Sequence, residues 1–221
     1  MIVTDLGRMA FDEAWRLQEK AVAERLGGGP DRLFLVEHDP VVTLGRHGGG
    51  ENLLVTPEAL AARGVDLVQT TRGGNITCHF PGQVVAYPIF KISVARGGLR
   101  GLFADLEEVV IATLARYSVT GERTPGRPGV FVGPRKIASI GLAVRRQVTA
   151  HGLALNVGRD LGVFSLITPC GLHGVVPTSM LLEMDQPAKA SYPSETQLIA
   201  HVKQTLVESF ENVFGQKAAL A

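Results

Sequence analysis

Apolar residues recur at helical spacing in three segments of the chain. The first covers residues 8–26 and stops at the glycines of positions 27–29. The second lies near residues 101–117, and the third follows Ser194, where residues 194–197 have the sequence of a capping box. The spacing therefore predicts two long helices and a last helix that packs on a sheet.

Short runs of β-branched and apolar residues lie between these helical segments. The runs cover residues 33–37, 41–44, 83–90, 129–132, 136–144 and 152–157. They do not alternate regularly with helices, as a doubly wound fold would require. The pattern predicts an α+β fold, and the length of 221 residues suits a single domain over residues 1–221.

Composition narrows the class of protein. The chain is 45% hydrophobic and 19% charged, and it has no apolar run near the roughly 18 residues that a membrane span needs. The first residues do not show the pattern of a signal peptide, which is a basic segment followed by a long apolar stretch. We therefore expect a cytoplasmic protein that does not bind membranes. A net charge of +1 gives no global field for nucleic acid, and two cysteines give no disulfide framework.

Residues 72–83 combine paired glycines with polar side chains inside a region rich in strands. One interpretation is structural, because such a segment can simply form two turns. When this segment is considered by itself, the structural interpretation is slightly favoured. The other is a ligand loop, in which glycines let the backbone approach a bound group and Arg72 or His79 fixes it. The segment matches neither a phosphate-binding loop nor a dinucleotide fingerprint.

Lys136 opens an otherwise apolar strand beside Arg135. Most lysines at such positions are solvated. A lysine held in a poorly hydrated pocket can instead lose its proton and act as a base. The spacing alone does not distinguish between these two interpretations.

Cys170 stands between a proline and a glycine, in a turn, where a core cysteine is uncommon. Inert burial is the usual state of a lone cysteine, but a turn exposes the sulfur and frees backbone amides, which favours a nucleophile. Cys78 is a rival, with His79 as its neighbour. Adjacent strand residues point to opposite faces, so these two should not form a catalytic pair.

A metal site is not expected, although Cys170 and His173 have a two-residue gap found in zinc sites. No second such pair completes a ligand set. The remaining histidines show no ligand spacing; they are His38, His47, His151 and His201.

Taken together, these segments resemble the lipoyl(octanoyl) transferase family. In chain order, the resemblance is carried by residues 37–41, 43–46, 72–74, Thr77, His79, 81–83, 128–130, 136–141, 145–146, 151–156 and 169–171. An ordered series over most of the chain is far more specific than one glycine loop.

The resemblance implies a fold similar to that of biotin and lipoate ligases, with a central mixed β-sheet flanked by helices. It also implies a catalytic pair, Cys170 and Lys136. The substrate-binding residues that it implies are Arg72, Gly73, Gly74, Asn75, Ile76, Thr77, Cys78, His79, Ser139, Ile140, Gly141, Gly152, Leu153 and Ala154. Four departures from the family pattern should reshape the acyl tunnel and leave activity intact; they are Val42, Cys78, Phe80 and Phe131.

The function implied is transfer of an octanoyl or lipoyl group from acyl carrier protein to a lysine of a lipoyl domain, through a thioester on Cys170. The implied acceptors are lipoyl domains of 2-oxoacid dehydrogenase complexes and the glycine cleavage H protein, and no cofactor is needed. An ATP-dependent lipoate or biotin ligase is the alternative enzyme, and it needs no cysteine nucleophile. A scaffold that only grips acyl groups is the non-catalytic alternative.

By the same resemblance, the carrier protein and the lipoyl domains are small acidic proteins. Docking them by charge would need local basic clusters, because the chain is near neutral overall. If Lys136 turns inward, Arg135, Arg145 and Arg146 are the candidate surface contacts. A solvated strand end is nearly as good an interpretation for any one of them.

Overall fold

The computed structural model describes residues 1–48, 50–169 and 174–220. Its helices are α1 Phe11–Leu26, α2 Pro57–Ala61, α3 Gly98–Ala115, α4 Met180–Glu183, α5 Gln186–Ala190 and α6 Glu195–Phe214. Its strands are β1 Ile2–Met9, β2 Arg32–His38, β3 Val41–Leu44, β4 Asp66–Gln69, β5 Ile76–His79, β6 Gln83–Ile89, β7 Glu122–Thr124, β8 Arg127–Val132, β9 Arg135–Arg145, β10 Val148–Asn156, β11 Val176–Pro177 and β12 Ala219–Leu220.

The main sheet has the strand order β12-β1-β2-β6-β10-β9-β8-β7, with β11 paired to β9. Strand β1 runs parallel to β2 and to β12, whereas β2, β6, β10, β9 and β8 form a continuous antiparallel series. A smaller sheet has the order β4-β3-β5. The predicted α+β fold with a central mixed sheet is confirmed.

Helices cover both faces of the main sheet. Helices α3 and α6 pack together on one face, and α1 packs on the other, over β6 and β10. The two-residue period of β6 sends Val84 and Ala86 towards α3 and α6, and Val85 and Tyr87 towards α1. Because both faces are covered, β6 is buried along its whole length.

The three predicted helices are present, and the first two have shifted starts. The first begins at Phe11, because Arg8 and Met9 pair with β2 and stay extended. The second begins at Gly98, ahead of the predicted start. The last begins as predicted, since the Ser194 hydroxyl accepts a hydrogen bond from the Gln197 amide at 3.2 Å. Within the described ranges, no helix has the length and apolar character that crossing a membrane demands.

Candidate active site

Strands β9 and β10 bring two of the predicted substrate segments side by side. In their antiparallel register Ser139 faces Ala154, Ile140 faces Leu153 and Gly141 faces Gly152. The intervening hairpin turn makes this pairing a local consequence of chain order. The two segments thus form one continuous patch of sheet.

Neighbouring segments come close to the two glycines of this patch, and Gly152 has no room for a side chain. A side chain at Gly152 would collide with the carbonyl oxygen of Ala86 on β6. At Gly141, a Cβ would lie 3.3 Å from both the Arg72 Cδ atom and the Gly73 carbonyl oxygen. The segment that starts at Arg72 therefore lies directly over β9, where the Gly73 amide donates to the Leu142 carbonyl at 2.8 Å.

These segments enclose a cavity of about 320 Å³ that is largely apolar. Its volume is at the lower end of the range of roughly 300–1,000 Å³ found for small-molecule sites. Its lining includes Lys136 and thirteen of the predicted substrate-binding residues, namely Arg72, Gly73, Gly74, Asn75, Ile76, Thr77, His79, Ser139, Ile140, Gly141, Gly152, Leu153 and Ala154. The predicted binding residues are thus brought together around one space.

Cys78 is the predicted binding residue that does not line this cavity. It lies opposite Val42 in the small sheet, and its side chain is fully buried in an apolar cluster with Val42 and Ile76. His79, the next residue on β5, lines the cavity. Strand alternation therefore separates the thiol from the imidazole, as the sequence predicted.

Lys136 is buried, which agrees with the second of its two interpretations, a lysine held in a pocket, and not with a solvated side chain. Its side chain is only 7% exposed, and its Nζ atom donates to the Pro128 carbonyl at 2.8 Å. The ammonium lies 5.5 Å from the centre of the Phe131 ring, close enough for a cation–π contact. In the sheet, Lys136 stands between Phe131 of β8 and Pro177 of β11.

Cys170 and His173 lie outside the described residues, and so does any contact they make. The described chain on either side is anchored near the cavity. The Thr168 amide donates to the Asn52 carbonyl at 2.7 Å, and the Thr178 amide donates to the Lys136 carbonyl at 2.9 Å. Among residues 1–48, 50–169 and 174–220, no three His, Cys, Asp or Glu side chains are grouped to hold a metal ion.

Arg72 joins the glycine segment to the small sheet. Arg72 is 7% exposed, and its guanidinium donates to the Thr43 hydroxyl from Nε at 3.2 Å and from Nη2 at 2.9 Å. It also donates to the Gly73 carbonyl at 3.2 Å. Arg72 therefore shapes the cavity wall and brings a positive charge close to it.

Two histidines in the cavity wall are neutral near neutral pH. Burial, and less strongly the nearby His38 ring, lowers the pKa of His79 to about 3, against the opposing effect of its hydrogen bond to Gln83. Burial, followed by the charge of Arg72, lowers the pKa of His151 to about 4. The rings therefore line the cavity without adding charge.

A second group of lining residues was not predicted as part of the site. Its members are Phe11, His47, Val85, Tyr87, Gly126, Pro128 and His151. In the sequence Phe11 fits the apolar face of α1, and Val85 and Tyr87 fit a buried strand. For Phe11, Val85 and Tyr87 no local signal distinguishes a wall of a cavity from ordinary core, so they required the tertiary structure. Pro128 and His151 do stand in segments that carry the family resemblance.

The sequence model of a protein family, the lipoyl protein ligase A/B catalytic domain, matches residues 11–211 of this chain. That match covers most of the chain and both sides of the cavity. The chain belongs to the lipoyl protein ligase A/B catalytic domain family. Within this family, it is 49% identical over 221 residues to the octanoyltransferase of Nitratidesulfovibrio vulgaris strain DSM 19637 / Miyazaki F, covering 100% of this chain and 98% of that relative. It is 47% identical over 218 residues to the octanoyltransferase of Maridesulfovibrio salexigens, covering 98% of each chain.

Solved structures agree on the fold. A lipoate-protein ligase A bound with ATP superposes with a TM-score of 0.74 at 14% identity, covering 100% of this chain and 88% of that one. The bi-partite lipoate protein ligase of Thermoplasma acidophilum, solved in work that includes its E2 lipoyl domain, gives a TM-score of 0.69 at 17% identity, with 100% and 86% covered. At these identities the similarity to solved structures concerns the fold alone. The family resemblance inferred from the sequence is confirmed by the family model and by the two relatives.

Proposed function

We propose that this protein is an octanoyltransferase of lipoate biosynthesis, with residues 1–221 acting as one cytoplasmic catalytic domain. The observation that carries the proposal is the largely apolar cavity with buried Lys136 in its wall. Full-length identity of about half to enzymes named octanoyltransferase supports the same reaction. The acyl chain would lie in the cavity, and the acyl carbonyl would lie near Lys136.

The finer proposal names donor, acceptor and intermediate. The Cys170 thiolate attacks the octanoyl thioester of acyl carrier protein, a new C–S bond forms and the bond to the carrier sulfur breaks. The carrier thiolate leaves and takes a proton from the charged Lys136 amine, which becomes neutral. The lysine amine of a lipoyl domain then attacks the acyl-enzyme, an amide forms and the Cys170 thiolate is released. Conversion of a thioester to an amide drives the second step, so the reaction needs no ATP.

Lys136 would serve both steps. In its charged form it stabilises the Cys170 thiolate, and in its neutral form it takes the proton that the attacking amine must lose. The burial of Lys136 and the short β11 strand beside it support this role, because β11 follows Cys170 closely in the chain. The pairing of Cys170 with Lys136 rests on the family resemblance.

The decisive test is transfer from purified octanoyl acyl carrier protein to an apo lipoyl domain without ATP. We expect the lipoyl domain to gain the mass of one octanoyl group at a lysine. As a control, free octanoate with ATP and Mg²⁺ should give no product. The reverse pattern would identify an ATP-dependent ligase, and binding of octanoate without any product would identify a scaffold.

Three arginines were expected to contact acidic partners, and the structure distinguishes between them. Arg135 makes a two-point ion pair with Glu183, at 2.7 Å from Nε and 2.8 Å from Nη2, so its charge is largely balanced. Arg145 contacts Glu19 at 3.4 Å, and both side chains are about half exposed, which makes a weak pair. Arg146 is exposed in the turn between β9 and β10.

We therefore expect Arg145→Glu combined with Arg146→Glu to raise the KM for octanoyl acyl carrier protein several-fold. Exposed charges act over about 8 Å at physiological salt, so the wild-type advantage should shrink as salt rises. With octanoyl-coenzyme A, a small donor, kcat/KM should change much less. The matched control is Arg100→Glu with Arg116→Glu, because Arg100 lies on α3 and Arg116 directly follows it, on the face of the sheet opposite α1. Equal losses with both donors would mean that the pair supports the fold.

A further inference from the structure

The cavity has an open end and a closed end. His47, Gly126 and Pro128 line it at the exposed surface, whereas Phe11 and Tyr87 are 4% and 2% exposed. Phe11 belongs to the first turn of α1, and Tyr87 to β6, the central strand below that helix. The contact between α1 and the sheet therefore closes the cavity.

Phe11 is fixed in place by other rings. Its ring is nearly parallel to those of His79 and His151, with interplanar angles of 9° and 13° and centroid distances of 6.0 and 6.4 Å. His38 and Trp15 contact it at 5.4 and 5.9 Å. A side chain packed among four rings cannot turn aside without disturbing the core.

His38, Tyr87 and His79, which contact Phe11 or lie beside it, form hydrogen bonds within the protein. Burial lowers the pKa of His38 to about 4, so its ring is neutral. Its Nδ1 donates to the Met9 carbonyl at 3.1 Å, which leaves Nε2 to accept from the Tyr87 hydroxyl at 2.8 Å. His79 Nδ1 likewise donates to the Gln83 side-chain oxygen at 2.7 Å. The end of the cavity thus suits an apolar chain terminus.

We propose that Phe11 determines acyl chain length, by forming the wall that the terminal methyl of an eight-carbon chain contacts. The proposal rests on the octanoyltransferase function and deepens it. Each methylene that gains apolar contact favours binding roughly fourfold. A chain two or more carbons longer must displace Phe11, and overpacking a rigid wall is unfavourable. Chain-length preference is then a property of α1, which lies outside the segments that carry the family resemblance.

The test measures ratios of kcat/KM for hexanoyl, octanoyl and dodecanoyl acyl carrier protein, competing for one apo lipoyl domain. Phe11→Ala should raise the dodecanoyl-to-octanoyl ratio about tenfold. Phe11→Trp should shift preference in the other direction, towards hexanoyl. Since all donors compete on one preparation, partial unfolding of a variant cancels from the ratio. The matched control is Phe34→Ala, because Phe34 is buried in the same apolar cluster as Tyr87 and does not line the cavity.

Octanoyl transfer with wild-type ratios in both Phe11 variants would overturn this inference and leave the proposed function standing. An equal shift in Phe34→Ala would also overturn it, because the effect would then come from general loosening of the core. A wild-type protein that transfers none of the three chains would overturn the proposed function itself.

Discussion

Replacing Cys170 with alanine should reduce octanoyl transfer roughly a thousandfold or more, because alanine cannot form the thioester on which both proposed steps depend. Cys78→Ala should leave most of the activity. The Cys78 side chain is fully buried among Val42 and Ile76 and does not line the cavity. Its replacement should cost stability alone, on the order of 1 kcal/mol. Steady-state rates with octanoyl acyl carrier protein measure both variants.

A trapping experiment checks the assignment directly. Enzyme incubated with octanoyl acyl carrier protein and no lipoyl domain should carry one octanoyl group, and peptide mass spectrometry should find it on Cys170. The Cys78→Ala enzyme should give the same labelled peptide, and Cys170→Ala none. Label on Cys78 would refute the assignment.

Lys136→Arg should lower transfer by about two orders of magnitude or more, although it keeps the positive charge. Arginine does not give up its proton near neutral pH, so general base catalysis is lost. The lysine side chain is also closely packed: a Cβ at Gly129 would lie 2.9 Å from the Lys136 Cε atom, and Nζ donates to the Pro128 carbonyl, a contact that the planar guanidinium would have to rearrange. Rapid-mixing kinetics should separate formation of the acyl-enzyme from transfer to the lipoyl domain.

Lys136→Met is the matched variant, because it keeps an unbranched side chain of similar size and removes the charge. If both variants fold, as thermal melting would report, we expect methionine to slow formation of the acyl-enzyme and both to slow transfer. Substantial transfer by Lys136→Arg would mean that the lysine acts only through its charge. The proton-transfer role would then have to be abandoned.

Local patterns predicted much of the fold, because the helices have clear apolar faces and the strands are short and bounded by turns. The main errors lie at the start of the chain, where β1 was not predicted and the first helix was predicted to begin at residue 8. Arg8 instead pairs with Glu37 of β2 and stays extended, and such pairing is not visible in a local window. The segments near Gly141 and Gly152 could be placed together, since one hairpin joins them.

The inner half of the site could not be predicted from the sequence. Phe11 and Tyr87 are 76 positions apart in the chain and contribute ordinary apolar surface to α1 and β6. Only the packing of α1 on the sheet makes them a cavity wall. Cys78 shows the converse, because a position within a matching segment faces away from the cavity when strand alternation directs it there.

The three buried imidazoles near Phe11 also link folding to proton uptake. His38, His79 and His151 have folded pKa values of about 4, 3 and 4, well below the ordinary 6.5. The unfolded chain therefore binds more protons than the native one below pH 6.5, and stability falls as the pH drops from there towards 4. If all three histidines take up a proton on unfolding, the free energy of unfolding changes by roughly 4 kcal/mol per pH unit at most. Mild acid should therefore unfold this enzyme by charging the same rings that hold Phe11 in place.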